Sequence, residues 1–122
     1  MNEQSIAVLD ERERDAVGAF IHRLNVRFPG EVLQVMLFGS KARGDSGPWS
    51  DIDILITVKE ESWSLRGDIS TVAADVSLEY DVLIGPRVIG LERWERMKQE
   101  GFSLYRNIAA EGIPLAPTPA SS

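Results

Sequence analysis

The stretch from Leu37 to Ile56, LFGSKARGDSGPWSDIDILI, constrains the fold of this chain more than any other segment. It joins two apolar runs rich in branched residues, Val32 to Phe38 and Ile52 to Val58, each of which reads as a buried strand. Gly39, at the end of the first run, lets the backbone turn sharply and approach a ligand closely. Ser40 suits the N-cap of a short helix through Ala42, whose free N–H groups would receive a phosphate. In the second run side chains alternate between faces, so Asp51 and Asp53 project together while Ile52, Ile54, Ile56 and Val58 face the other way. Two carboxylates on one face at the start of a strand form a hard oxygen site suited to magnesium. Asp53 stands between Ile52 and Ile54, where an unpaired charge is costly, so its charge implies a cationic partner.

The rest of the chain supplies elements to pack around these two strands. Residues 1–8 are expected to fray. From about Asp10 to Phe28, Val17, Phe20, Ile21, Leu24 and Phe28 recur at helical spacing, and the charge-dense start (Asp10 to Asp15) reads as solvated first turns. His22 is the only histidine, and with no cysteine or second histidine to join it, it reads as a partly exposed helix residue. Pro29-Gly30 ends the helix. Beyond the second strand, Leu65, Ile69, Val72, Ala73 and Val76 mark an amphipathic helix to about Leu78, with Trp63 near its start as a packing residue. Tyr80 to Ile84, bounded by Gly85-Pro86, reads as a third strand carrying Asp81. Two short helices follow, Leu91 to Met97 and Phe102 to Ala110, with Gly112 as a C-cap and Pro114 preventing continuation. Lys41 is expected on the surface.

The chain has 122 residues, enough for one domain with a real core. We expect a domain over 1–115 and a flexible tail over 116–122. The order of elements predicts an α/β (α+β) fold, with a small mixed sheet and helices packed on one side. There is no cysteine, hence no disulfide or thiolate site. No apolar leader or span of about twenty apolar residues is present, which points to a cytoplasmic protein without membrane contact. A net charge of −6 argues against extended contact with a nucleic-acid backbone and suits a basic protein partner.

Gly39-Ser40, ten residues, then Asp51-x-Asp53, with Ala42-Arg43-Gly44 inside the interval, resembles the minimal nucleotidyltransferases of the polymerase-beta-like superfamily. The resemblance extends to EYDVLI and the closing NIAAEGIPL. It implies the polymerase-beta-like palm and transfer of a nucleoside monophosphate from a triphosphate, ATP in the first instance. By that resemblance Asp51, Asp53 and a third carboxylate, Asp81, hold two magnesium ions and form the catalytic set, Asp81 serving the acceptor hydroxyl. Gly39 and Ser40 bind the triphosphate, and Arg43 reaches toward the leaving diphosphate. Small stand-alone members of this family pair with HEPN toxins as antitoxins, moving AMP from ATP to a toxin tyrosine and blocking a ribonuclease. The chain lacks the Arg-x4-His signature of a HEPN toxin, which places it on the antitoxin side. A small-molecule nucleotidyltransferase of the aminoglycoside-modifying type and a non-catalytic antitoxin acting by contact alone remain the alternatives.

Overall fold

A computed structural model describes residues 8–45, 47 and 50–116. The first helix, α1 (Glu11–Arg27), starts on a capping box: Asp10 accepts the Glu13 N–H at 2.8 Å, and Glu13 accepts the Asp10 N–H at 2.9 Å. Two of the free donors at the helix start are thereby satisfied. Then come β1 (Val32–Phe38), the single-turn α2 (Gly39–Arg43), β2 (Ile52–Val58) and the long α3 (Trp63–Tyr80). The chain closes with β3 (Ile84–Gly90), α4 (Leu91–Glu100), α5 (Ser103–Glu111) and β4 (Ile113–Ala116).

The four strands form one mixed sheet in the order β3-β2-β1-β4. β1 lies antiparallel to both β2 and β4, and β2 is parallel to β3 across the α3 connection. The parallel pair and its crossover helix are a βαβ unit. Ile52, Ile54, Ile56 and Val58 pack with Val35 and Leu37 against Ala16, Val17, Phe20 and Leu24 of α1 and Ile69, Val72 and Val76 of α3. This is the expected face. The opposite face is covered as well: Met36, Leu55 and Ile89 pack against Trp94 and Met97 of α4 and Ile108 of α5. The sheet therefore carries helices on both sides rather than one, and β2 is buried on both faces, as a central strand with a parallel neighbour should be.

Several boundaries differ from expectation. Tyr80 is the last helical residue, Asp81 is the left-handed cap (φ 56°), and the third strand begins only at Ile84. Gly85-Pro86 is not the end of that strand but lies within it. Proline is tolerated there because β3 is an edge strand, where a missing N–H breaks no ladder on the open side. Gly112 caps α5 with extended rather than left-handed backbone. Its lack of a side chain matters for packing instead, since a Cβ would stand 2.7 Å from the Met36 methyl. Beyond it Pro114 sits inside β4, a strand that the periodicity did not disclose. Val8, expected within the fraying segment, packs against the core beside the buried Leu9; positions 1–7 of that segment and 117–122 of the expected tail lie outside the described residues. None of the described helices is long and apolar enough to cross a membrane.

Candidate active site

β1 and β2 run antiparallel with Phe38 opposite Asp53, and β3 places Gly85 on Asp53's other side. Asp53 thus occupies the middle of a three-strand row at the edge of the second core. The α4–α5 layer covers Leu55 in the next row, and Leu55 is fully buried while Asp53 keeps partial exposure.

Gly39 leaves Asp53 room by being glycine. Gly39 follows Phe38 with φ 75°, a conformation that favours glycine, and the place of its missing Cβ is taken by the Asp53 carboxylate. A Cβ on Gly85 would lie 3.5 Å from the other carboxylate oxygen. Asp51 precedes the strand and is exposed. Burial, and next the negative charge of Asp51, push the Asp53 carboxyl above its ordinary range, while Arg87 and Arg43 act in the opposite sense. A site that crowds two carboxylates and desolvates one favours a cation.

α2 begins at Gly39 itself, with Phe38 in the cap position and no side-chain cap. Ser40 is therefore the second helical residue and not the N-cap. Its carbonyl closes the turn, accepting the N–H groups of Gly44 at 3.0 Å and Asp45 at 3.2 Å.

Three further expectations are corrected here. Lys41 is buried, and its Nζ meets the Glu13 carboxylate at 2.5 Å, with the Gly47 carbonyl at 3.4 Å. Glu13, expected among solvated first turns, is buried too, so this pair ties α2 to the cap of α1. No signal marks such a pair in the sequence, because both residues belong to charge-rich surface patterns. Trp63 packs into neither core; it is 86% exposed, with the Arg66 guanidinium 5.7 Å from its ring. His22 is exposed, as expected.

Arg43 is exposed and engaged twice, with Asp45 at 3.1 Å and Glu111 of α5 at 3.3 Å. Those hydrogen bonds, Asp45's first, hold its guanidinium above the usual arginine value. Asp81 stands apart from the other two carboxylates. It is exposed, pairs with Arg12 at 3.2 Å, and lines a cleft of about 350 Å³ with Ser50, Ile52, Leu78 and Leu83. Among the described residues no three His, Cys, Asp or Glu side chains form a group able to hold a metal ion. The structure brings Gly39 and Asp53 into contact and sets Ser40 in the adjoining turn; it does not bring Asp81 into a three-carboxylate set. Pro48, noted in the intervening loop, lies outside the described residues.

A family model described as a nucleotidyltransferase domain matches residues 19–111. A Methanocaldococcus jannaschii chain named "Putative protein adenylyltransferase MJ0604" is 35% identical over 100 residues, covering 82% of this chain and 94% of that one. A second from the same organism with that designation, MJ0141, is 48% identical over 54 residues, or 43% of this chain and 54% of the other. Among solved structures, a toxin-antitoxin with AMP-PNP superposes with a TM-score of 0.58 at 18% identity, over 88% of this chain and 76% of that one. A nucleotidyltransferase-like crystal structure from Sulfolobus solfataricus gives 0.52 at 19% identity, over 93% and 87%.

Proposed function

Because the chain belongs to the nucleotidyltransferase domain family, we propose that it transfers AMP from ATP to a hydroxyl on a protein partner. The observation that carries this reading is the seating of the Asp53 carboxylate in the space left by Gly39. That contact sets a crowded carboxylate pair beside a turn whose backbone a phosphate can approach closely. ATP would lie with its terminal phosphates at Gly39-Ser40 and its α-phosphate over Asp53.

The donor set fits a divalent cation. Asp51 and Asp53 offer hard oxygens, and with no third carboxylate in the described group, phosphate oxygens and water would complete the shell. Asp51 and Asp53 would hold a magnesium ion there, and it would supply charge neutralisation at the α-phosphate. In the transfer, the acceptor oxygen forms a bond to the α-phosphorus, the bond to the diphosphate breaks, diphosphate leaves, and the acceptor proton passes to solvent. Arg43, bound to Asp45 and Glu111, braces the α2–α5 corner; freed from those partners it could meet the leaving diphosphate.

The acceptor we infer is a tyrosine of a HEPN-type toxin, which the transfer neutralises in the cytoplasm. Support comes from the protein adenylyltransferase designation of relatives and from structural neighbours that are toxin-antitoxin complexes. The acidic net charge of −6 also suits association with a basic protein.

One observation favours a second reading, a non-catalytic antitoxin: β3 (IGPRVIG) carries no carboxylate at all. Co-expression with a HEPN toxin and intact-mass analysis of the toxin separates the two. The enzyme reading expects AMP increments on the toxin that vanish with Asp53→Asn together with rescue of growth. Rescue by that variant, with an unmodified toxin, would establish the binding reading instead.

A further inference from the structure

β3 pairs with β2 so that Gly85 stands beside Asp53 and Arg87 beside Leu55. Side chains two apart on a strand share a face, so Arg87 is the first side chain along β3 on the face that carries Asp53. Gly85 contributes nothing in between. Arg87 is exposed, and its charge acts on Asp53, opposing the rise in that carboxyl's pKa. Its side chain forms no hydrogen bond or ion pair among the described residues. Arg43, by contrast, already holds two carboxylates.

The placement is specific. Gly39 and α2 approach Asp53 from the β1 side, and Arg87 from the β3 side. Diagonal neighbours on one face of adjacent strands lie about 7–8 Å apart, within reach of a long side chain, so the Arg87 guanidinium can meet a phosphate bound over Asp53. A planar guanidinium is suited to grip a phosphate through two parallel hydrogen bonds.

We infer that Arg87 contacts the α-phosphate of the bound nucleotide, on the side of Asp53 opposite the Gly39 turn. The assignment rests on the nucleotidyltransferase reading above. Arg87 thereby offsets charge at the transferred group, while the terminal phosphates are held elsewhere. It also gives β3, which has no acidic residue, a part in the site.

The test is calorimetry with magnesium and either the non-hydrolysable analogue AMP-CPP or diphosphate, on the wild-type chain, Arg87→Ala, Arg87→Lys and, as a control, Arg96→Ala on α4. Melting temperatures of all four should agree, because both arginines are exposed. We expect Arg87→Ala to weaken AMP-CPP binding about tenfold or more while diphosphate binding is unchanged, with Arg87→Lys between the two. Equal loss for both ligands would move Arg87 to the phosphate tail and overturn the assignment. Unchanged AMP-CPP affinity in Arg87→Ala would overturn it and leave the nucleotidyltransferase reading standing. A wild-type chain that binds neither ligand would remove that reading, and the assignment with it.

Discussion

At Asp53 the proposed function and stability pull in opposite directions. Its carboxyl is raised by burial and by Asp51, so the unfolded chain ionises it more readily than the folded one. The sign follows: the ionised form costs stability above the folded-state pKa, and the cost fades as pH falls through that value toward the unfolded one. Asp53→Asn should therefore raise the melting temperature of the ligand-free protein at pH 7 by about 2–5 °C while abolishing transfer. Differential scanning fluorimetry beside an activity assay checks both halves, and an unchanged or lowered melting temperature would mean that the carboxylate is satisfied without a cation. Gly39→Val is the steric counterpart. A branched side chain at φ 75° would be driven into the Asp53 carboxylate, and the variant should lose nucleotide binding along with about 1–3 kcal/mol of stability in urea titration. Asp81→Ala tests the remaining carboxylate. An exposed residue paired with Arg12 outside the carboxylate group should cost less than about tenfold in transfer, and a loss of several orders of magnitude would restore it to the metal set.

At the scale of elements, two charge contacts hold the pieces that shape the site. Lys41 and Glu13 join α2 to α1 with both side chains nearly out of solvent, at 5% and 10% exposure. Removing one partner strands the other, so Lys41→Met should cost about 3–5 kcal/mol, and the added Glu13→Gln should recover part of it. Glu61 gathers the other end of the sheet: it accepts the Gly90 N–H at 2.7 Å and meets Arg93 at 2.6 Å and Arg66 at 2.7 Å. Burial alone would raise its carboxyl, but Arg93, the Gly90 N–H and Arg66 together hold it below the usual glutamate range. The stability it contributes is present above the unfolded value of about 4.3 and is lost as pH falls through the lower folded value. Glu61→Gln should lose about 1–2 kcal/mol at pH 7 and show a flatter acid limb below about pH 5 in thermal melts.

The elements also show what local pattern can and cannot reveal. α1, β1, β2 and α3 were legible because each has a clear period, and Gly39, Asp51 and Asp53 because the motif is contiguous across one turn. β3 and β4 were not, since each is an edge strand containing a proline, the residue that ordinarily marks the end of a strand. The misplacement of β3 carried Asp81 into a strand it does not occupy and hid Arg87 in an apparent loop. The burial of Lys41 depends on α1 folding over α2, a contact across 28 residues that no local pattern encodes.

The whole molecule is a βαβ unit with an antiparallel extension, clad by α1 and α3 on one face and α4 and α5 on the other. Phe38 packs against the second layer, whereas Asp53 on the same face keeps partial exposure, and it is there that the proposed nucleotide would lie. The fold class and the family were both readable from one strand-loop-strand segment, whereas the partner that brings the acceptor depends on surfaces that the motif does not describe. The most direct measurement of the central claim uses ATP labelled at either the α- or the γ-phosphate, with magnesium, in an extract of the protein's own source cells. The account predicts label on a protein from α-labelled but not γ-labelled ATP, falling by at least about a hundredfold with Asp53→Asn. Labelling from the γ-position, or α-labelling undiminished in that variant, would contradict it.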